Sequence, residues 1–202
     1  MPDQPALVAA HGRATWLSVD GELSDHDAAG VAALLGDAAP FVCHMPATAR
    51  RLGVAPFLSF DLLELFAFVR PAAFCIPTPR GLAEALSLAA PETREDDAST
   101  LMAAAEALLR EAAVAPSSGQ SSSARERGAG LIEMMARAGW AWGEALAHAF
   151  STHDPNMPVE GQGKKSGGSP LAVWSDLPEW QEQAPEPPTD QFGVSADFFL
   201  RG

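Results

Sequence analysis

The chain has 202 residues, a formal net charge of −13 and 47% hydrophobic residues. The hydrophobic content is ample for a packed interior and excludes global disorder, and the length allows one domain of roughly 100 to 150 residues with attached segments. Because a negative field of this size repels phosphate backbones, the composition also excludes a protein that coats nucleic acid through its overall charge.

In chain order, the first predicted element is a β-hairpin. Two apolar runs, 7–10 and 14–19, flank a turn at Gly12, and a second turn follows at Asp20. The alternation of short strands with helices beyond this point predicts an α/β fold in which helices pack on a small sheet.

Capping residues, prolines and apolar periodicity predict five helices after the hairpin. Ser24 and Asp27 have the spacing of a capping box for the first helix, and Asp61 has the same relation to Glu64 in the third. The predicted helices cover residues 24–36, 46–53, 61–70, 78–88 and 99–113, and strand-like runs between them cover 40–43, 57–60 and 74–76.

Composition changes after the predicted α/β domain, which covers residues 1–114. Gly- and Ser-rich stretches are typical of flexible linkers, whereas apolar residues at helical spacing predict a helix that needs a partner surface. The remaining segments are a linker at 115–124, one amphipathic helix at 125–152, a flexible linker at 153–170 that includes Lys164 and Lys165, and an acidic, Pro-rich tail at 171–202.

The sequence carries no signal for export or membrane insertion. No apolar run approaches the ~20 residues that cross a bilayer, so we expect a cytoplasmic protein without a membrane partner. Cys43 and Cys75 lie in apolar contexts that favour buried, reduced thiols over a disulfide or a metal ligand.

No motif of a catalytic centre is found in the sequence. It contains no GxxxxGK[ST] phosphate-binding loop, no GxSxG, no HExxH and no paired CxxC. His148 and His153 lack a third metal ligand, so surface histidines are the favoured interpretation. We therefore expect no catalytic residue and no cofactor in this chain.

Three acidic residues form the sharpest candidate for a metal site. Asp20 and Glu22 have the D-x-E spacing with which two-metal exonucleases hold magnesium, and Asp61 is the natural third carboxylate. The favoured interpretation is structural. Asp20 precedes a glycine as is common in turns, and Asp61 has the position of a helix N-cap.

Arginines and tryptophans are candidates for binding partners. The candidates for a small basic edge that binds DNA are Arg50, Arg51, Arg70 and Arg80, although scattered surface arginines are the favoured interpretation on an acidic body. Acidic residues flank Trp174 and Trp180, which favours docking of this segment on protein over stacking on nucleotide bases.

Residues 61–85 (DLLELFAFVRPAAFCIPTPRGLAEA) resemble a signature region ahead of the motor in bacterial DinG-type DNA helicases, and residues 42–53 (VCHMPATARRLG) resemble the segment before it. The resemblance covers residues 7–109 and, more weakly, 174–188. Both regions are also similar to a degenerate DEDD 3′–5′ exonuclease domain of the ribonuclease-H-like class. The metal-binding aspartate expected after His44 is missing, so the resemblance does not imply nuclease activity.

The resemblance implies a noncatalytic accessory region that assists a helicase motor, in the same polypeptide or in another. ATP and Mg²⁺ are then expected only in that motor, and DNA is contacted through it. Two alternatives remain: a small metal-dependent 3′–5′ exonuclease using Asp20, Glu22 and Asp61, and a protein-interaction scaffold using Trp174 and Trp180.

Overall fold

Five strands form one mixed sheet in the computed structural model, which describes residues 1–71, 73–113 and 122–152. The first three strands are antiparallel neighbours, and the last two run parallel to the first. The order across the sheet is β3-β2-β1-β4-β5, with β1 Ala6–Ala10, β2 Arg13–Leu17, β3 Leu23–Asp27, β4 Phe41–Val42 and β5 Phe60–Asp61. The predicted α/β class with a small sheet is confirmed.

Two tight turns connect the antiparallel strands. The β1–β2 turn contains Gly12 at φ 68°, and the β2–β3 turn contains Gly21 at φ 84°. Both values lie in the left-handed region that glycine adopts without steric cost. The predicted hairpin and the predicted second turn are therefore confirmed.

Helices lie along the chain between and after the strands. Within the described residues they are α1 Ala28–Leu34, α2 Met45–Leu52, α3 Leu62–Val69, α4 Pro79–Leu86, α5 Arg94–Ala113, α6 Ser122–Arg137 and α7 Gly143–Thr152. Helix α2 contains the predicted Pro46 in its first turn and ends at Gly53, which has φ 70°. Thr78 caps α4 as predicted, because its hydroxyl accepts from the amide of Gly81 at 3.0 Å. None of the helices in these described ranges is long and apolar enough to cross a bilayer.

Several local predictions were wrong. Ser24 is not a helix cap: it lies in β3 opposite Trp16, and Asp27 caps α1 instead. Residues 74–76 are not a strand, and the strand predicted at 57–60 is reduced to Phe60–Asp61. The single helix predicted at 125–152 is two helices, α6 and α7, and α6 begins at Ser122, inside the predicted linker.

Side chains of the sheet alternate between two apolar layers. Leu7, Trp16 and Val42 pack with Val31 of α1 and Leu52 of α2 on one face. On the other face, Ala6, Leu17 and Phe41 pack with buried residues of the later helices, which include Leu65, Leu82, Leu101, Leu108, Ile132, Trp142 and Leu146. Helices α6 and α7 therefore share the main core with the sheet.

Candidate functional site

Asp61 lies where the parallel strands β4 and β5 end. Its side chain is buried, at 3% exposure, and both carboxylate oxygens accept hydrogen bonds from backbone amides. One oxygen accepts from Met45 at 2.7 Å, and the other accepts from Leu63 at 2.9 Å and from Glu64 at 3.4 Å. Since Met45 begins α2 and Leu62 begins α3, one carboxylate binds the N-terminal amides of two helices.

Opposing effects act on the pKa of Asp61. Burial raises its pKa above 3.8, while the hydrogen bonds from Met45, Leu63 and Glu64 and the nearby charge of His44 lower it. The net direction is upward. Asp61 is therefore a buried acid that is held in place by amide donors at some cost in desolvation.

Two tryptophans connect the turn between α6 and α7 to the same place. The indole N–H of Trp142 donates to the backbone carbonyl oxygen of Asp61 at 2.7 Å, and that of Trp140 donates to a carboxylate oxygen of Glu64 at 3.0 Å. Trp142 also stacks on Phe41, with ring centroids 5.7 Å apart. We call the set of Met45, Asp61, Glu64, Trp140 and Trp142 the Asp61 junction.

Cys43 follows β4 and lies close to this junction. Burial, with smaller contributions from Cys75 and Asp61, raises the pKa of Cys43 to about 12. Burial also raises the pKa of Cys75, whose thiol donates to the carbonyl oxygen of Ile76 at 3.2 Å. Both cysteines are free and half-buried, so they are protonated thiols at neutral pH.

The structure does not bring Asp20, Glu22 and Asp61 together. Asp20 and Glu22 are exposed in the β2–β3 turn, whereas Asp61 is on the edge strand β5. Three strand spacings of about 4.8 Å separate β2 from β5, or roughly 14 Å. In the described ranges, no three His, Cys, Asp or Glu side chains are grouped so that they could hold a metal ion.

The four candidate arginines also fall into separate places. Arg50 and Arg51 are exposed in the last turn of α2. Arg70 forms a bidentate pair with Glu111 and donates to the carbonyl oxygen of Ala85 at 2.6 Å. Arg80 donates to the carbonyl oxygen of Pro91 at 2.6 Å. Arg70 and Arg80 therefore connect elements within the fold, and the four residues do not form one edge.

Comparison with known proteins gave no match. No protein-family model, no curated protein and no solved structure is significantly similar to this chain.

The remaining candidate residues after position 152 lie outside the described residues. They are His153, Lys164, Lys165, Trp174 and Trp180. His148 is exposed on α7.

Trp142 was not among the residues singled out from the sequence. Its hydrogen bond to Asp61, which is 81 residues away in sequence, has no local signal.

Proposed function

We propose that this chain is a noncatalytic accessory domain of a DinG-type ATP-dependent DNA helicase. It acts with a motor that lies in the same polypeptide or in another, and that motor supplies ATP hydrolysis with Mg²⁺. DNA is contacted mainly through the motor, and the protein works in the cytoplasm, where that DNA is found.

The engagement of Asp61 is the observation that carries the proposal. Asp61 begins the segment that resembles the helicase signature region, and it lies at the end of β5, which runs parallel to β4. Here its two oxygens accept from three backbone amides and fix two helices. A carboxylate used in this way supports a structural role for the sheet end.

The sheet topology supports the finer fold assignment to a degenerate ribonuclease-H-like, exonuclease-like domain. Three antiparallel strands are followed by two strands parallel to β1, in the order β3-β2-β1-β4-β5. Helix α1 connects β3 to β4, and α2 connects β4 to β5. This sequence of elements is typical of that fold class.

Exposed apolar side chains lie in the same segment that carries the resemblance. Phe74 is 85% exposed and Ile76 is 50% exposed, between α3 and α4. Contiguous exposed apolar residues are typical of protein contact sites. We take this loop as a contact site for the motor.

Reconstitution with a helicase motor tests the proposal. The purified chain is mixed with a DinG-type motor from the same organism, and association and ATP-dependent unwinding of forked DNA are measured. Where both share one polypeptide, the motor is compared with and without this region. We expect association and faster unwinding, and the Phe74→Ser, Ile76→Ser double variant should weaken both.

The matched control is Met134→Ser, which removes a different exposed apolar side chain, 65% exposed on α6. It should leave association unchanged. Absence of any association with the motor would contradict the proposal, and so would digestion of DNA by the isolated chain with Mg²⁺ or Mn²⁺.

A further inference from the structure

Three arginines from two elements meet at one corner of the fold. Arg13 begins β2, and Arg50 and Arg51 lie in the last turn of α2. The amide of Gly12, in the β1–β2 turn, donates to the carbonyl oxygen of Arg51 at 3.3 Å. This hydrogen bond holds the tip of the hairpin against the end of α2. We call the three arginines the basic corner.

The basic corner has little compensating charge. All three arginines are exposed, and none forms an ion pair with a carboxylate in the described ranges. An acidic neighbour is Asp27, the cross-strand partner of Arg13. One oxygen of Asp27 caps α1 by accepting from the amide of Gly30 at 2.8 Å. The carboxylate opposite Arg13 is thus also used as a helix cap.

Three other arginines of the fold form ion pairs within the chain. Arg70 pairs with Glu111, while Arg110 and Arg137 each pair with a glutamate one helical turn earlier. The difference matters because the whole chain has a net charge of −13. The basic corner is therefore a positively charged surface on a chain that is negatively charged as a whole.

Helix stability explains only part of the cluster. Cations in the last turn of a helix interact favourably with the negative end of its dipole, which accounts for Arg50 and Arg51 on α2. Arg13 lies in a strand, and its cross-strand partner is the oppositely charged Asp27. Arg13 adds a third exposed positive charge beside Arg50 and Arg51, and such a group of cations without recorded ion pairs in the described ranges can bind an anion from outside the chain.

We propose that the basic corner binds the phosphodiester backbone of single-stranded nucleic acid. Guanidinium groups match phosphate oxygens with paired N–H donors. A backbone presents evenly spaced charges, so it can reach arginines on two elements at once, while the acidic remainder of the surface repels the strand elsewhere. The proposal deepens the proposed function, and it rests on that function for the choice of nucleic acid over an acidic protein.

Fluorescence anisotropy with a labelled single-stranded oligonucleotide of fixed sequence tests the proposal. We expect the full-length chain to bind at low salt, with an affinity that falls as salt rises at a log–log slope of about −2, as for three phosphate contacts. The Arg13→Gln, Arg50→Gln, Arg51→Gln triple variant should bind roughly tenfold more weakly, with a slope near zero.

The matched control removes the same charge elsewhere. Arg94→Gln, Arg110→Gln, Arg137→Gln also removes three exposed arginines and should keep the wild-type affinity within about twofold, because these arginines lie outside the basic corner. Circular dichroism confirms that both variants are folded. Equal losses in both variants, no binding by the wild type, or equally strong binding of polyglutamate would each overturn the proposal.

A pull-down with the motor separates this proposal from the proposed function. The basic-corner variant should still associate with the motor, because Phe74 and Ile76 are unchanged. A chain that binds DNA through the corner without associating with a motor would sustain this inference and remove the helicase assignment. Association with the motor without any DNA binding by the chain would support the helicase assignment and overturn this inference.

Discussion

At the scale of single residues, Asp61 is the most informative side chain of the candidate site. Its role as N-cap of α3 was predicted from its spacing to Glu64, and the structure confirms it. The additional hydrogen bond from Met45 was not predictable, because it joins residues 16 positions apart through the pairing of β4 with β5. The cap of α3 could therefore be predicted from local sequence, whereas the contact of Asp61 with α2 depends on the pairing of strands in the sheet.

Replacement of Asp61 by alanine should destabilise the fold strongly. The change leaves three amide donors without their acceptor at a site that is 3% exposed, so we expect a loss of about 2 to 4 kcal/mol in the free energy of unfolding. Urea denaturation measures it. Asp27→Ala removes the exposed N-cap of α1 as a control and should cost about 1 kcal/mol. Equal losses of stability in the two variants would contradict the prediction that burial makes the Asp61 hydrogen bonds more important than those of Asp27.

The raised pKa of Asp61 predicts a pH dependence of known sign. Since the folded pKa lies above 3.8, the native chain binds this proton more tightly than the unfolded chain. The contribution of Asp61 to stability is therefore greatest below pH 3.8 and declines as pH rises through the raised pKa.

Comparison with Asp61→Asn isolates this effect, because asparagine does not titrate. The free energy of unfolding of the wild type minus that of the variant should fall as pH rises from below 3.8 through the raised pKa of Asp61. Denaturant titrations at several pH values measure this difference. A difference that rises with pH would mean that the amide donors outweigh burial.

The two cysteines should differ in reactivity. Cys43, with a pKa of about 12, has almost no thiolate at neutral pH, and burial also shields it. Cys75 has a raised pKa but lies in the exposed segment before α4. Mass spectrometry after brief iodoacetamide treatment should find Cys75 modified first and Cys43 only after unfolding. Faster modification of Cys43 would contradict the assigned environment.

At the scale of elements, periodicity predicted where helices lie but not where one helix becomes two. Ala138 and Trp142 are four residues apart, so the apolar stripe continues across the break without a change of phase. The break occurs at Gly139, which has φ 89°. Residues 74–76 were predicted as a strand because three consecutive residues are apolar. In the structure, Phe74 and Ile76 are exposed.

Close packing of α6 on α7 predicts opposite effects for two glycines. A Cβ at Gly143 would lie 2.4 Å from Cβ of Ala136, whereas a Cβ at Gly130 would have no neighbour within 4 Å. Gly143→Ala should therefore destabilise the fold by about 1 to 3 kcal/mol through overpacking. Gly130→Ala, inside α6, should stabilise it by about 0.5 to 1 kcal/mol. Thermal unfolding of both variants tests the helix pair, and a stabilising Gly143→Ala would contradict it.

At the scale of the whole molecule, the sequence predicted the α/β class but did not predict that side chains after residue 114 pack in the main core. Composition predicted a domain boundary at residue 114, because the Gly- and Ser-rich stretch after it is typical of a linker. In the structure, buried side chains after that boundary complete the apolar layer on one face of the sheet. Composition shows where a chain is polar, but it does not show which later helix returns to the core.

This shared core predicts that residues 1–113 do not fold alone. Removal of α6 and α7 takes away Ile132, Trp142 and Leu146, each no more than 1% exposed. Each such side chain contributes about 1.5 to 3 kcal/mol through burial, so the loss of roughly 5 to 9 kcal/mol approaches the stability of a whole domain. We expect the 1–113 fragment to bind a hydrophobic dye and to lack a cooperative urea transition.

Addition of a peptide covering residues 122–152 should restore a cooperative transition, because the peptide again supplies Trp142 to its place against Phe41 and the carbonyl of Asp61. A peptide with Trp142→Ala provides the control and should fail to restore it, whereas Met134→Ser in the same peptide should succeed, since Met134 is 65% exposed. Cooperative unfolding of the 1–113 fragment alone would mean that the sheet and the first five helices are an independent domain, as the composition of the linker had indicated.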